Sequence, residues 1–70
     1  MPSEFSKTIA ENIRRLRHEK QLTQQELSSK AGFSLNYISQ VARNVIDPTL
    51  TALGKISKVL GVDPQELIKS

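Results

Sequence analysis

Apolar residues recur along most of this chain at intervals of three and four positions, the spacing that places them on one face of an α-helix. Two such stripes are clear. The first predicted helix carries Phe5, Ile9, Ile13 and Leu16, and the fourth carries Leu50, Leu53, Ile56 and Leu60. No alternating pattern of strand length interrupts them. The chain is therefore predicted to be all-α, with five short helices joined by short loops.

Capping residues predict where the second helix begins and ends. Thr23 and Glu26 have the spacing of a capping box, in which the Thr23 hydroxyl accepts from the Glu26 amide and the Glu26 carboxylate accepts from the Thr23 amide. The helix then runs to about Lys30. Gly32 follows, and a glycine takes the left-handed conformation that ends a helix without a steric penalty.

The remaining helices carry similar signals. Ser34 is expected to cap a third helix of about residues 35–42, and Asn44 is expected to end it in the left-handed conformation. Thr49 should begin the fourth helix, and Gly61 should end it. The fifth helix is predicted from a second capping box, Asp63-Pro64-Gln65-Glu66, followed by the apolar residues Leu67 and Ile68.

Composition narrows the class of protein. A chain of 70 residues has room for one domain, predicted over residues 1–70, and such small domains are marginally stable alone. The absence of cysteine excludes a disulfide scaffold, a thiol nucleophile and a thiolate zinc site. No apolar run is long enough for a transmembrane segment, and the first 20 residues lack the apolar segment of a signal peptide. We therefore expect no membrane association.

Candidate catalytic and metal-binding groups are sparse. His18 is the single histidine, and without a neighbouring cysteine it is neither a metal site nor half of a catalytic pair. Helix caps and solvated surface account for the carboxylates, and no phosphate-binding glycine loop is present. We therefore expect no enzyme activity, no cofactor and no metal.

The distribution of charge is more informative than the net charge of +3. This mild excess permits a polyanionic partner without requiring one. Between residues 31 and 54 the charged side chains are Arg43 and Asp47 alone. A segment so poor in charge is either buried or forms a surface that contacts a partner.

The segment from Gln24 to Arg43 has the spacing needed for two helices that cross at about 90–120° over a short turn. Such a corner requires a left-handed residue, for which Gly32 is placed, and small or inward apolar residues where the helices meet. The small and apolar positions of the segment are Leu27, Ser28, Ala31, Phe33, Ile38 and Val41.

These residues resemble the helix-turn-helix of the phage repressor and Cro family, also called the XRE family. The stretches that carry the resemblance are residues 13–17, 22–27, 31–34, 37–41, 48–50 and 60–62, together with Leu53 and Ile56. The resemblance implies a compact five-helix, lambda-repressor-like domain, with the motif at about residues 24–43. The Arg43-Asn44 pair and the small size are also similar to controller proteins of restriction–modification systems.

Two positions depart from the family pattern. Members usually carry a glutamate at the place of Ala42, paired with the arginine at the place of Arg17. Here Arg17 lacks that partner, so we expect it to turn toward solvent, a phosphate or another carboxylate, because a buried unpaired charge is costly. Asn44 replaces the usual glycine, which is a milder change.

The resemblance also implies roles for individual residues, because the second motif helix of this family enters the major groove of DNA. The residues expected to contact bases are Ser34, Leu35, Asn36, Ser39 and Gln40. Asparagine and glutamine are suited to adenine, and a leucine to a thymine methyl group. The residues expected to contact the DNA backbone are Gln24, Gln25, Tyr37 and Arg43. For Tyr37 packing is an equal alternative, and for the polar residues an ordinary solvated surface remains the alternative.

One domain of this size reads few base pairs, and useful affinity generally needs two half-sites about 34 Å apart. A homodimer is therefore expected. The candidate interface residues are Ile46, Val59, Val62, Leu67 and Ile68. The alternative is that these side chains complete the core of the monomer.

The function implied by the resemblance is that of a cytoplasmic, nucleoid-associated transcriptional regulator. It would bind a two-fold-symmetric double-stranded DNA operator as a dimer, and would block or recruit RNA polymerase. The alternative is a helical protein-interaction module, antitoxin- or antirepressor-like, that does not read DNA. The weak basicity of the third helix favours this alternative.

Overall fold

The computed structural model describes residues 4–70. Within this range five helices follow one another along the chain: α1 (Glu4–Glu19), α2 (Gln24–Lys30), α3 (Tyr37–Ala42), α4 (Leu50–Leu60) and α5 (Gln65–Ile68). No strand occurs among the described residues. The predicted all-α class and the number of helices are confirmed. Residues 1–3 of the predicted domain lie outside the described residues.

The helices enclose one hydrophobic core. Helix α1 packs against α3 and α5, while α2 packs against α3 and α4, and α4 against α5. The buried apolar cluster consists of Ile9, Ile13, Leu16, Leu27, Ile38, Val41, Leu53, Ile56, Leu60 and Leu67. Burial of each such side chain contributes about 1.5–3 kcal/mol. The core therefore fixes the relative orientation of α2 and α3, the two helices of the predicted motif.

The first residue of each predicted apolar stripe is exposed, whereas the spacing predicts that it faces the core. Phe5 is 56% exposed and Leu50 is 87% exposed. Both residues lie in the first turn of their helices, and a helical side chain leans toward the N-terminus of its helix. Their side chains therefore lean toward the N-terminal end of the helix, where the described residues leave them exposed.

Three of the four longest helices end as predicted, with a left-handed residue directly after the last turn. Gly32, Asn44 and Gly61 have φ values of 83°, 60° and 71°. In each case the next amide along the chain bonds a carbonyl five residues earlier, for example Phe33 to Ser28 at 2.9 Å. This is the Schellman arrangement, which satisfies carbonyls at the end of a helix. Gln21, with φ of 57°, ends α1 in the same way and was not predicted.

The start of the third helix differs from the prediction. Ser34 does not cap it, because α3 begins at Tyr37, and Asn36 at the N-cap position makes no side-chain cap. Instead the buried hydroxyl of Ser28, on α2, accepts a 3.0 Å hydrogen bond from the amide of Ile38. The first amides of a helix have no acceptor within the helix. Ser28, ten residues before Ile38, provides the acceptor for one of them.

The fifth helix has only half of its predicted capping box. The Asp63 carboxylate accepts from the amide of Gln65 at 3.0 Å, but the Glu66 carboxylate pairs with Lys69 at 3.0 Å. The far end of α5 is held by Asn12 of α1, whose side-chain amide donates to the carbonyls of Leu67 at 2.9 Å and Lys69 at 2.7 Å. Asn12 therefore joins α5 to α1, which the sequence analysis did not predict.

Candidate nucleic-acid interface

Helices α2 and α3 form a rigid corner. Leu27 and Ser28 of α2 and Ile38 and Val41 of α3 are buried at the inner side of the corner. The left-handed Gly32 turns the chain between the helices, and the bond from Ile38 to Ser28 ties the start of α3 to α2. The corner therefore presents the opposite side of α3 to solvent in a fixed orientation.

The polar residues predicted to contact bases share that outer side of α3. Positions 36, 39, 40 and 43 recur at helical spacing on one face, whereas Ile38 and Val41 occupy the buried face. Asn36 is exposed, and Ser39 and Gln40 are half-buried. Within the described part of the chain, the side chains of Asn36 and Gln40 make no hydrogen bond. Their amides are therefore available to an external partner.

The turn before α3 extends the same surface. Ser34 and Leu35 are exposed, and the carbonyl of Ser34 accepts from the amide of Tyr37 at 3.1 Å. Leu35 is 54% exposed, so an apolar side chain lies beside the polar residues of this face. The structure thus brings all five predicted base-contacting residues together on the turn and the helix that follows it.

Arg43 lies at the other end of α3, at its C-cap. Its Nε donates to the carbonyl of Ser39 at 3.4 Å, and the side chain is exposed. No basic residue occurs within α3 itself. Arg43 therefore supplies the positive charge on the outer face of this helix.

The start of α2 carries the predicted capping box. The Glu26 amide donates to the Thr23 hydroxyl at 3.0 Å, and the Thr23 amide donates to the Glu26 carboxylate at 2.8 Å. Hydrogen bonding of the Glu26 carboxylate to the Thr23 amide, and after it to the Thr23 side chain, holds the pKa of the Glu26 carboxyl below its ordinary value of 4.5. Gln24 is half-buried and Gln25 is exposed, directly beside this cap. Both glutamines thus reach the surface at the end of α2 where the predicted backbone contact lies.

Tyr37 serves in packing. Its ring stacks on Phe33 with a centroid distance of 4.1 Å, and burial raises the pKa of its hydroxyl above the ordinary value of 10.0. Phe33 in turn packs against the core. Packing therefore accounts for the ring of Tyr37, and a phosphate contact through its hydroxyl stays a prediction.

Arg17 is half-buried and bonds a backbone carbonyl. Its guanidinium donates to the carbonyl of Leu22, which follows the left-handed Gln21, at 2.8 Å and lies 3.0 Å from Nε2 of His18. Among the described residues Arg17 forms no ion pair, so the expected turn toward another carboxylate is wrong there. A turn toward a phosphate stays a prediction.

Ala42 adjoins a cavity of about 180 Å³ between α1 and the end of α3. Its lining consists of Lys7, Ala10, Glu11, Arg14, Ala42 and Asn44. The side-chain oxygen of Asn44 is buried and has no hydrogen-bond partner among the described residues. Ala42 and Asn44, the two positions at which the sequence departs from the pattern implied by the resemblance, thus both border this cavity.

The predicted dimer residues differ in exposure. Leu67 is fully buried in the monomer core, so it offers no surface to a second copy, and the alternative reading is correct for this residue. Ile46, Val59 and Val62 are half-buried and pack against the same core, whereas Ile68 is 39% exposed. Val45 and Leu50, which are not among the predicted interface residues, are the most exposed large apolar side chains among the described residues.

Neither a membrane span nor a metal cluster is found in residues 4–70. No helix in this range is both long and apolar enough to cross a membrane. The same residues contain no group of three or more histidine, cysteine or carboxylate side chains placed to hold a metal ion.

A corner of this geometry, with a polar outer face on its second helix, defines a helix-turn-helix domain. The helix-turn-helix family model matches residues 13–67, which is more than half of the chain. The chain therefore belongs to the XRE-type helix-turn-helix family, which consists of DNA-binding transcriptional regulators and not of enzymes. The predicted resemblance to phage repressors is thereby confirmed.

Individual relatives agree with this assignment. The chain is 38% identical over 65 residues to the uncharacterised HTH-type transcriptional regulator y4dJ of Sinorhizobium fredii, covering 93% of this chain and 84% of that protein. It is 36% identical over 61 residues to the HTH-type transcriptional regulator SinR of Bacillus subtilis, covering 86% of this chain and 55% of SinR. The chain thus spans about half the length of that relative.

Solved structures share the fold. SinR in complex with DNA superposes with a TM-score of 0.81 at 35% identity, covering 87% of this chain and 98% of that one. The restriction–modification controller protein C.AhdI from Aeromonas hydrophila gives a TM-score of 0.86 at 26% identity, covering 93% and 98% of the two chains. The narrower resemblance to controller proteins is therefore present in the fold as well as in the sequence.

Proposed function

We propose that this protein regulates transcription by binding a two-fold-symmetric DNA operator as a dimer, with α3 of each copy in the major groove. The observation that carries the proposal is the polar outer face of α3, where the Asn36 and Gln40 side chains make no hydrogen bond to any described residue. Asparagine and glutamine each match the paired donor and acceptor of adenine in the major groove. The DNA complex of the related SinR supports this use of the fold.

The contacts divide into bases and backbone. Ser34, Leu35, Asn36, Ser39 and Gln40 lie on the turn and the outer face of α3, which suits contacts to base edges. Gln24 and Gln25 at the start of α2, Tyr37 through its hydroxyl, and Arg43 at the end of α3 border this face on the surface. We assign these bordering residues to phosphates, because such contacts set the register of the helix in the groove.

Dimerisation follows from size. The described chain extends 26 × 22 × 21 Å, whereas half-sites on one side of a duplex are about 34 Å apart. One copy cannot place a recognition helix in both half-sites. Ile68 is the most exposed of the predicted interface residues, and the half-buried Ile46, Val59 and Val62 are the others that reach the surface. We assign the dimer contact to Ile68, Ile46 and Val62, since Val59 lines a separate concavity between the end of α2 and α4.

Regulation follows from occupancy. A dimer bound at the promoter can cover the DNA that RNA polymerase needs, and it then blocks the polymerase. A dimer bound beside the promoter can instead contact RNA polymerase, and it then recruits the polymerase. Such a protein works in the cytoplasm, at the nucleoid. Control then comes through the concentration of the protein and its dimerisation.

Selection from random duplexes tests this proposal. An inverted repeat should be enriched, and binding to it should weaken steeply with salt, with a log–log slope on the order of −5 to −9 for a dimer that meets roughly 6–10 phosphates. An enriched site without two-fold symmetry would refute the dimeric geometry, and a flat salt response would refute groove binding.

The dimer contact has its own test. Ile68→Glu should be monomeric by sedimentation equilibrium at concentrations at which the unchanged protein is dimeric, because a charge buried in an interface is costly. Thr51→Glu adds the same charge at an exposed position of α4 and should leave the dimer intact. A dimer unaffected by Ile68→Glu would place the contact elsewhere.

A protein-interaction module is the second candidate, favoured by the absence of a basic residue within α3. Under this alternative no duplex is retained even at low salt, and the outer face of α3 contacts a protein. The same selection experiment separates the two functions.

A further inference from the structure

We propose that a second surface of this protein, distinct from the outer face of α3, binds an acidic segment of a partner protein. The surface is a concavity of about 540 Å³ between the end of α2 and one side of α4, lined by Lys30, Ala31, Lys55, Lys58 and Val59. We call it the lysine cleft. Its volume falls within the range of about 300–1,000 Å³ that is typical of ligand sites.

The charged side chains that line the lysine cleft are all of one sign. Lys30, Lys55 and Lys58 line it, and none of its lining residues is an aspartate or glutamate. A cleft lined by one sign of charge attracts a ligand of the opposite sign.

The three ammonium groups form no ion pair within the part of the chain that the structure describes. The two ion pairs found there join Arg15 to Glu19 and Lys69 to Glu66. Glu26 lies one turn before Lys30 on α2 and attracts its ammonium without pairing with it, because the Glu26 carboxylate accepts from the Thr23 amide in the capping box. A ligand carboxylate would therefore meet Lys55 and Lys58 without a carboxylate partner and Lys30 with a distant one.

The floor of the cleft indicates the kind of anion. Ala31 is buried and Val59 is half-buried, so apolar atoms lie between the charges. Lys55 is held with its ammonium 5.8 Å from the centroid of the Phe33 ring, a cation–π distance that restrains this side chain. Alternating charged and apolar groups suit a peptide in which Asp or Glu residues are interspersed with Leu or Phe. A sugar–phosphate backbone has no apolar side chain for such a floor.

The cleft lies away from the start of α2, where Gln24 and Gln25 are assigned to phosphates. Lys30 is the last residue of α2 and Gln24 is the first, so the two lie about 9 Å apart along the helix axis. On its other side the cleft adjoins the turn, because Lys55 lies over Phe33, whose ring stacks on Tyr37. Competition with duplex DNA therefore tests whether the two surfaces are separate.

Fluorescence anisotropy tests the proposal. The probe is a short labelled peptide in which Asp and Glu alternate with Leu and Phe, and its control replaces the acids by Asn and Gln. The acidic peptide should bind saturably, and the neutral peptide should not. The double variant Lys55→Gln/Lys58→Gln should weaken binding about tenfold, the sum of two exposed ion pairs.

A matched variant distinguishes the cleft from general attraction. Lys7→Gln/Lys20→Gln removes the same charge from exposed lysines of α1 and its end and should leave peptide affinity within about twofold. Equal weakening by both double variants would overturn the proposal. Amide shifts of the unchanged protein provide a measurement that needs no variant, because the peptide should shift residues of the cleft, and shifts centred on α3 would also overturn it.

Competition between operator DNA and the peptide is the third part of the test. The Lys55→Gln/Lys58→Gln variant should keep its affinity for the selected operator, and excess operator should leave the peptide bound. If duplex displaces the peptide and the variant loses operator affinity to the same extent, the lysine cleft is a phosphate contact and the proposal fails. Failure to find any operator would leave these peptide measurements intact, so the two proposals can be judged separately.

Discussion

The buried hydroxyl of Ser28 accepts a 3.0 Å hydrogen bond from the amide of Ile38, across the corner between α2 and α3. This bond joins the two helices of the motif at a point where α3 has no local cap. The bond thus adds to the core packing that holds α3 against α2. Ser28 is thus both the small residue that the helix crossing requires and a hydrogen-bond acceptor for α3.

Ser28→Ala should lower the free energy of unfolding by about 1–3 kcal/mol, because it leaves the Ile38 amide buried without an acceptor. Urea denaturation measures the change. Ser29→Ala is the matched control, since Ser29 is the neighbouring, exposed serine of the same helix. If the two variants are equally stable, the bond contributes nothing to the corner.

Asn44→Gly should raise the free energy of unfolding by about 1 kcal/mol. The substitution removes a buried oxygen without a partner, which costs about 1–3 kcal/mol, and the larger entropy of the unfolded glycine chain offsets part of this gain. Glycine also suits the left-handed conformation of this position, where φ is 60°. For a domain of this size the melting temperature should rise by about 4–8 °C.

The Asn44→Ala variant serves as the control for this interpretation. Alanine also removes the buried oxygen, but it places a Cβ in the left-handed region at a cost of about 1–2 kcal/mol. It should therefore be less stable than the glycine variant. Thermal unfolding of all three proteins checks this order, and a glycine variant that melts below the unchanged protein would contradict the argument.

The capping box makes stability depend on pH in acid. The pKa of Glu26 is lowered in the folded state, so its ionised form stabilises the fold above the ordinary value of 4.5, and this stabilisation is lost as pH falls through the lowered pKa. Glu26→Gln should therefore melt below the unchanged protein at neutral pH, and the difference should shrink in acid. Glu11→Gln, at an exposed residue whose carboxylate caps no helix, is the control. A difference for Glu26→Gln that is constant with pH would exclude the capping box as its cause.

The sequence predicted the helices and the corner well because their signals are local. Thr23 with Glu26, Gly32, Asn44 and Gly61 act on residues at most four positions away, and the structure confirms each of them. Such signals identify where a helix begins or ends without any knowledge of tertiary contacts.

The errors concern contacts that spacing along the chain does not determine. Ser34 was assigned the cap of α3, whereas Ser28, ten residues before Ile38, is the acceptor. Arg17 bonds the Leu22 carbonyl, next to the left-handed Gln21, and not another carboxylate. Leu50 has the helical spacing of a core residue, but the first turn of α4 extends beyond the core and leaves it exposed. Spacing alone does not indicate where a helix leaves the core. In each case the tertiary arrangement decides which neighbour is present.

The base-contacting residues were predicted from the resemblance, and the structure adds that they share one exposed face. Gln40→Ala should cost about 1–3 kcal/mol of discrimination at one base pair of the operator, because it removes a paired donor and acceptor.

Arg43→Gln should weaken binding to all duplexes alike and reduce the salt slope by about 1 per copy, as loss of a phosphate contact does. Titration of the operator and its single-base variants at several salt concentrations separates these signatures. Equal weakening by Gln40→Ala across all variants would make Gln40 a backbone contact and move the reading of bases to other residues of α3.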